Sequence, residues 1–496
     1  MSARHSAGIC LFVVWFFAGA VFGETEYLAV FMEGKKVGYA LETREGAGDR
    51  VRTTHQVSLS MIRAGIPLSF KITETCVETA DGKPLGFESV QHLGIMAMRT
   101  TGVVNEQGMV EVTTSSMGAE QKSGFEWPKG AVMAEGERLE RLKKGLKEGT
   151  SYRVKLFSPA GMRAIDTQIR IGPKQKVDLL GRVVSLTEVV SVAEIAAAGQ
   201  VVTTSYVDEE LRVLKSSLPM MGMQIEMVAC TKDFALGDND VLELVDKMFL
   251  PAPVSLGDVG SAESIRYLVV PKSEGERLVI PDGDNQKVEK LGNGSLVVTV
   301  KPAQPPKGAK FPYKGGDKVV LEAMKPSRFV QSDRKEIVEL ARRAVGKTRD
   351  AAEAARRIET FVADYMENRG LSVGYASAAE VAASRQGDCT EFAVLTAAMC
   401  RAVGIPAQVV MGFAHVKDFA GVQNRFGGHA WVRAYIGGED GRWMGVDAAF
   451  KSAGRSGYGP KHIGLVFGNG DPEDFFALVG ILGRFRIERV TVNKGR

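Results

Sequence analysis

Cysteine is scarce in this chain: five in 496 residues. A scaffold held by disulfides is thereby excluded. Cys389 and Cys400 fall on one expected helix, eleven residues apart. At that spacing they sit roughly 16 Å from each other, too far to be bridged. Cys76 and Cys230 both fall in strand-like segments, and a bridge between them stays open. An excess of charge of one sign is missing too. The 63 basic residues nearly cancel the 59 acidic ones, leaving +4, and no basic patch alternates with aromatics, so nothing points to nucleic acid. The densest basic run, Arg141 to Lys147, alternates with Glu140 and Glu148 and reads as a solvated helix face. There is no internal repeat. Past the first two dozen residues, no apolar run reaches the roughly 20 residues needed to cross a bilayer. AVGKTRD imitates a phosphate loop, but Ala341 stands where that motif needs glycine, and a helix precedes it where the motif needs a strand.

The composition that remains is ordinary for globular proteins, with 45% hydrophobic and 25% charged residues; the length suits several domains. Residues 1–23 read as a secretory signal: Arg4 and His5, an apolar run from Ile9 to Phe22, then cleavage after Gly23, with Val21 and Gly23 at the −3 and −1 places. Cys10 does not read as a lipidation site. The mature chain is expected to be exported, periplasmic or extracellular, and to meet the membrane only if that segment is retained.

From 24 to 246 the pattern is strand after strand. VRTTHQVSLSMIR and LSFKITETCVET alternate, and turns such as Asp81-Gly82-Lys83-Pro84 part them. One helix, near Glu135 to Lys147, interrupts an antiparallel β domain, and Ser205 to Cys230 reads as its closing hairpin. Met220, Met221 and Met223 read as gap-filling core. A smaller β segment or domain follows over 250–325. At Ser332, where the last domain begins and runs over 332–496, the texture turns to helix, expected over Asp333–Val345, Asp350–Met366 and Ser377–Ser384.

The chemistry gathers between Arg385 and Asp447: RQGDCTEFAVLTAAMCRAVGIPAQVVMGF, then FGGHAWVRAYI, then GRWMGVDAAF. Asp388 and Glu391 form a capping box that sets Cys389 at the first position of a helix. Free backbone N–H groups and the helix dipole there favour a thiolate and a nearby oxyanion. The two carboxylates work against that thiolate, and a buried His429 would have to outweigh them. Phe392, Leu395, Met399, Cys400 and Val403 form the core face of the same helix, which Gly404 and Pro406 end. In the next strands side chains alternate, so with Tyr435 opposite Trp443 or Gly441, His429 and Asp447 share a face. A nucleophile, a base and a group to orient the base then follow in order: Cys389, His429, Asp447. A metal site on these residues would need a second cysteine or histidine, and none is positioned to complete it. His415 and His462 read as accessory or structural.

These residues together resemble the core of the transglutaminase-like superfamily, in particular its exported bacterial members with β domains ahead of that core. The resemblance covers about Ser332 to Leu465. It implies a papain-like α+β core with a Cys389–His429–Asp447 triad acting through a thioester. With the strands read ahead of it, the expected fold is multidomain, an N-terminal antiparallel β domain followed by that core, and no cofactor or metal is expected. KHIGL, Lys461 to Leu465, resembles a segment that follows the core in some bacterial members. Ala448 departs from the family's usual proline. Tyr375 and Gln386 are candidates for the second oxyanion donor.

The expected function is thiol acyl transfer from a protein or peptide amide. With water as acceptor it is a peptidase or amidase, and with an amine a cross-linker. The alternative is a catalytically silent binding module, its β domains holding cell-envelope partners. Arylamine acetyltransfer uses the same residue order but needs acetyl-coenzyme A, which an exported protein would not meet.

Overall fold

The computed structural model describes residues 23, 25–63, 66–93, 96–116, 119–195, 199–220, 223–243, 249–256, 262–272, 278–369, 376–419, 422–451, 455–470, 474 and 484–494. The signal segment (save Gly23), the side chains of Met220 and Met221, and Tyr375 lie outside them. The chain forms two compact units, Met1–Leu244 and Val245–Arg496.

The first unit is built on a fifteen-stranded antiparallel sheet with one short parallel pairing at its end. The strand Thr25–Met32 pairs with the last one, Met223–Ala229, in the middle of the order. Two meanders run outward from that seam. Alternation sets the inner face: on Arg50–Arg63, Val51, Thr53, His55, Val57, Leu59 and Met61 are buried in turn, as a half-buried strand requires. Met223 is buried core, as expected. An aromatic knot closes one end, with Trp127 and Phe87 at 4.5 and 5.1 Å from the Phe157 ring. Phe87 lies opposite Gly102, and its ring fills the space where a Cβ would stand.

Helix Ala134–Lys144 has no side-chain cap of its own, because Met133 occupies the N-cap position. Glu78 supplies one from the strand Ile66–Thr79, accepting from Glu135 N at 2.6 Å and Gly136 N at 3.0 Å. The helix can come this close because Gly82, at φ +82°, turns the chain where a Cβ would strike Gly136. The basic run is not wholly solvated. Arg141 is 1% exposed and pairs with buried Glu137 at 2.9 Å, one turn back. The charge pattern hides this, since helical spacing sets Arg141 on the side that faces the sheet. Cys76 and Cys230 are both free thiols, so no bridge joins them.

In the second unit, Phe249–Pro251, Val422–Ile436, Ala407–Phe419 and His462–Gly468 lie side by side, with Arg442–Val446 also on Val422–Ile436. A four-stranded sheet follows the order Gln286–Lys290, Leu296–Val300, Ser264–Pro271, Phe485–Asn493. Residues 250–325 therefore share sheets with strands from late in the chain. Helix Cys389–Ala402 is buried on nearly every side. It packs against helices Lys335–Val345, Ala351–Tyr365 and Ala378–Ser384 on one side and against the strands Ala407–Phe419 and Val422–Ile436 on the other. A helix buried all round belongs at a centre, and this one fixes its first residue against the sheet. Cys400 is buried, and desolvation pushes its thiol up to about 12; it is core. No helix among the described residues is long and apolar enough to cross a membrane.

Candidate active site

The nucleophile position is built first. Asp388 accepts from Thr390 N at 2.9 Å, and Glu391 returns the contact by accepting from Asp388 N at 2.9 Å. The capping box read in the sequence is therefore present, with Cys389 at the first helical position, half-buried. Glu391 also accepts from Ala376 N at 3.0 Å, tying in the chain just ahead of helix Ala378–Ser384. Gly387, at φ +151°, lies against the Glu391 side chain, where a Cβ would come within 2.3 Å. Glu391 is wholly buried, and desolvation, then the Asp388 charge, hold its carboxyl well above the usual range. The repulsion expected from two carboxylates at the thiol is eased to that extent.

The histidine comes from the strand Val422–Ile436 and the aspartate from the end of Arg442–Val446. The observed register pairs Tyr435 with Trp443 and Val432 with Val446. Carried one residue further, it sets Asp447 opposite Trp431 and diagonal to His429 on the same face. The two side chains meet at 2.8 Å, His429 Nε2 to Asp447 Oδ2, both buried. Phe450 stacks on the imidazole at 4.1 Å and 17°, which fixes the ring plane. The Cys389 side chain lies near enough to the ring to help raise its pKa. With Nε2 on the carboxylate, Nδ1 is the nitrogen left for the thiol. The structure thus brings Cys389, His429 and Asp447 together.

The electrostatics follow from burial and partners. Desolvation alone would lower the His429 pKa. The Asp447 charge and hydrogen bond, with smaller contributions from Cys389, overcome it and raise the pKa to about 10. Desolvation likewise works against the Asp447 carboxylate, yet the two neighbouring imidazoles hold it well below its usual range. Backbone bonds complete the anchoring. Asp447 Oδ1 accepts from Ala449 N at 3.0 Å and Phe450 N at 3.2 Å. Ala448, where the family usually has proline, is buried within this turn.

Two residues of the site carry no signature in local spacing. Glu359 accepts from Asp447 N at 2.9 Å, Ser456 Oγ at 2.7 Å and Gly457 N at 3.1 Å, so it holds the loop behind the aspartate. Its one signal is a glutamate on the apolar stripe of its helix, among Ala355, Ile358 and Val362. His462 donates to the same Asp447 Oδ2 at 3.0 Å. The KHIGL segment stands out in the sequence, but without a role for its histidine.

His429, Asp447 and His462 bring three ligand-type atoms within 4.8 Å of one another. A second histidine does stand where a metal could use it, contrary to the expectation from spacing alone: the fold carries it in from a later strand. Both imidazoles already hydrogen-bond to Asp447, and a cation there would take the base and its orienting group together. His415 is not part of the site; its Nε2 meets Asn424 Oδ1 at 2.8 Å. Gln386 is exposed, its backbone bridged to Asn368.

Residues 338–448 match the family model described as the Transglutaminase-like superfamily. This segment belongs to that superfamily. Members of the superfamily are generally cysteine-dependent enzymes. An uncharacterized protein of Mycobacterium leprae (strain TN) is 35% identical over 101 residues, 20% of this chain and 34% of the relative. The chain thus spans about a third of that relative's length. A solved structure from Cytophaga hutchinsonii, described as a candidate cysteine protease, is similar at 21% identity and a TM-score of 0.29, covering 46% of this chain and 88% of its own. A β-barrel-like protein of a domain of unknown function, from Brucella abortus, is similar at 13% identity and a TM-score of 0.34, covering 42% of this chain and 95% of its own. The chain is multidomain, with a large antiparallel β unit ahead of a transglutaminase-like α+β core.

Proposed function

We propose that this protein is an exported thiol enzyme that takes an acyl group from a protein or peptide amide through a thioester on Cys389. In the first step His429 Nδ1 accepts the thiol proton, and the sulfur attacks the amide carbonyl carbon. The carbonyl π pair moves to oxygen, where backbone N–H groups at the start of the cysteine helix stabilise the developing charge. The tetrahedral adduct then collapses: the C–N bond breaks, and His429 gives its proton to the leaving amine. Water or a second amine, deprotonated by His429, attacks the thioester, expels the thiolate and receives the acyl group. Asp447 orients the ring and holds the imidazolium throughout. Bulk water outcompetes an amine unless the amine is held in place, so we favour hydrolysis.

The observation that carries this reading is the state of His429. It is buried between Phe450 and a charged Asp447 and lies beside the Cys389 thiol, and a pKa raised to about 10 by that carboxylate makes it a base strong enough to draw a proton from a thiol. Export is read from the leader pattern in residues 1–23. The test is alkylation of Cys389 by iodoacetamide against pH, in the wild type and in His429→Ala. Loss of His429 should slow the reaction at pH 6 by about tenfold or more. Identical profiles would sink the triad and leave a binding module.

A further inference from the structure

His462 opens the strand His462–Gly468, which pairs with Ala407–Phe419 so that Ala414 faces it. Its side chain has no exposure at all. Tyr458 at 4.9 Å and Trp431 at 5.0 Å box the ring. Desolvation, joined by the charges of His429 and Lys461, lowers its pKa against the pull of Asp447. A carboxylate only accepts, so the 3.0 Å contact with Asp447 puts a proton on Nε2. Nδ1 lies 3.3 Å from Gly459 N and 3.0 Å from Gly459 O, so the backbone offers it a donor and an acceptor.

One oxygen, Asp447 Oδ2, thus accepts from two imidazoles, at 2.8 Å from His429 and 3.0 Å from His462. Asp447 does not need His462 to keep its rotamer, because Ala449 N and Phe450 N already hold Oδ1. What the second donor changes is the charge felt by His429. An N–H dipole aimed at Oδ2 takes a share of the carboxylate's negative charge and turns its own positive end toward the other ring, 5.7 Å away between centroids. An imidazolium bound too tightly by its carboxylate is a poor acid toward a leaving amine, so some tempering serves the reaction. We infer that His462 is a positioning residue: a second donor on Asp447 that divides the carboxylate between two rings and keeps the His429 proton transferable. This inference rests on the triad reading. The titratable groups around His462 are Asp447, His429, Tyr458 and Lys461, with Glu359 behind Asp447 and Cys389 beyond His429.

With only six histidines in the chain, each ring can be followed in the full-length protein by 15N-histidine NMR, with His429→Ala giving the assignment. His462→Phe keeps the ring's bulk and removes the donor. The His429 titration should then move up by about one pH unit, while His462→Gln, which can again offer an N–H, should bring most of that shift back. Should His462→Phe not fold, His462→Ala takes its place, and added imidazole should reverse its shift. An unchanged His429 titration in a folded variant would reduce His462 to packing and overturn the inference. A downward shift would also overturn it, since it would mean that His462 holds the carboxylate in place and does not divide its charge. The two readings fail separately. If His429→Ala leaves Cys389 alkylation unchanged, the triad itself is wrong; if it slows alkylation while the His462 variants leave His429 unmoved, this inference alone falls.

Discussion

Each unit buries a carboxylate that accepts two backbone N–H groups, and the two come out in opposite states. Glu78, in the β unit, accepts from Glu135 N and Gly136 N at the start of a helix. Its pKa is raised to about 7, because desolvation outweighs those bonds and the Glu135 charge adds to it. Asp447, in the transglutaminase-like core, accepts from Ala449 N and Phe450 N and is held below its usual range. The imidazoles make the difference. Two amides do not offset the loss of water around a carboxylate, whereas a base that takes up a proton beside it does. Even a guanidinium is not always enough: Glu137 is raised by burial despite Arg141 at 2.9 Å. The charged state of the candidate active site is therefore a property of the pair, and removing either partner should collapse it.

Asp447→Asn breaks the comparison most directly. Asparagine keeps the size and can still accept from Ala449 and Phe450, but its NH₂ would face two imidazole N–H groups. His429 should lose its elevation and titrate near or below 6.5, and thioester formation should slow by about three to four orders of magnitude. Single-turnover acylation with an activated amide or ester, beside the His429 titration, checks both. Stability follows the same sign. His429 is raised in the fold, so its contribution is complete below pH 6.5 and is lost as pH rises through about 10. Asp447 is lowered, so its contribution is lost as pH falls below about 3.8. The gap in unfolding free energy between wild type and Asp447→Asn should be widest between those limits and shrink at high pH.

Glu359→Ala tests the scaffold behind the pair. It leaves Asp447 N, Gly457 N and the Ser456 hydroxyl without their acceptor in a buried place, a loss of about 3 kcal/mol. Urea denaturation should show that loss, and Glu359→Gln, which still accepts, should recover a good part of it. An equal loss in both variants would mean that the negative charge matters beyond the hydrogen bonds. A smaller effect is expected from Gly102→Ala in the β unit. The added methyl would meet the Phe87 ring at 2.2 Å, and forcing that ring aside should take about 1–3 kcal/mol from stability, leaving Cys389 alkylation as it was.

How much of the fold and the site is legible in the sequence varies with the range of the interaction. The capping box at Cys389 and the parity of His429 and Asp447 depend on neighbours within a few residues or across one hairpin, and local spacing reveals both. The helix bounds nearly match for the same reason, with Ala351–Tyr365 observed where Asp350–Met366 is expected. His462 and Glu359 reach Asp447 from a later strand and an earlier helix. No local period carries that information, although a glutamate on an apolar stripe is a hint that a buried donor set waits for it. The burial of Arg141 is hidden in a similar way. Its neighbours in sequence are charged, and only the packing of the helix on the sheet shows which side faces inward.

The comparison is sharpened last by taking the charge from the other carboxylate. Glu78 is raised from 4.5 to about 7 in the fold. A folded state that keeps its proton while the unfolded chain has lost it becomes less stable with rising pH. Stability from this residue is therefore complete below about pH 4.5 and is lost as pH rises through 7. Glu78→Gln cannot ionise and can still accept at the helix start, so the difference between wild type and variant should grow across that window and level off above it, in the variant's favour. Other groups titrate there too, and the difference between the two proteins removes them to first order. Hydrogen exchange at the Glu135 and Gly136 amides gives the local readout, since protection should fall with pH in the wild type once intrinsic exchange is corrected for, and hold steady in the variant. If the wild type held steady as well, two backbone bonds would be enough to keep a buried carboxylate charged, and the low pKa of Asp447 would no longer require its imidazole partners.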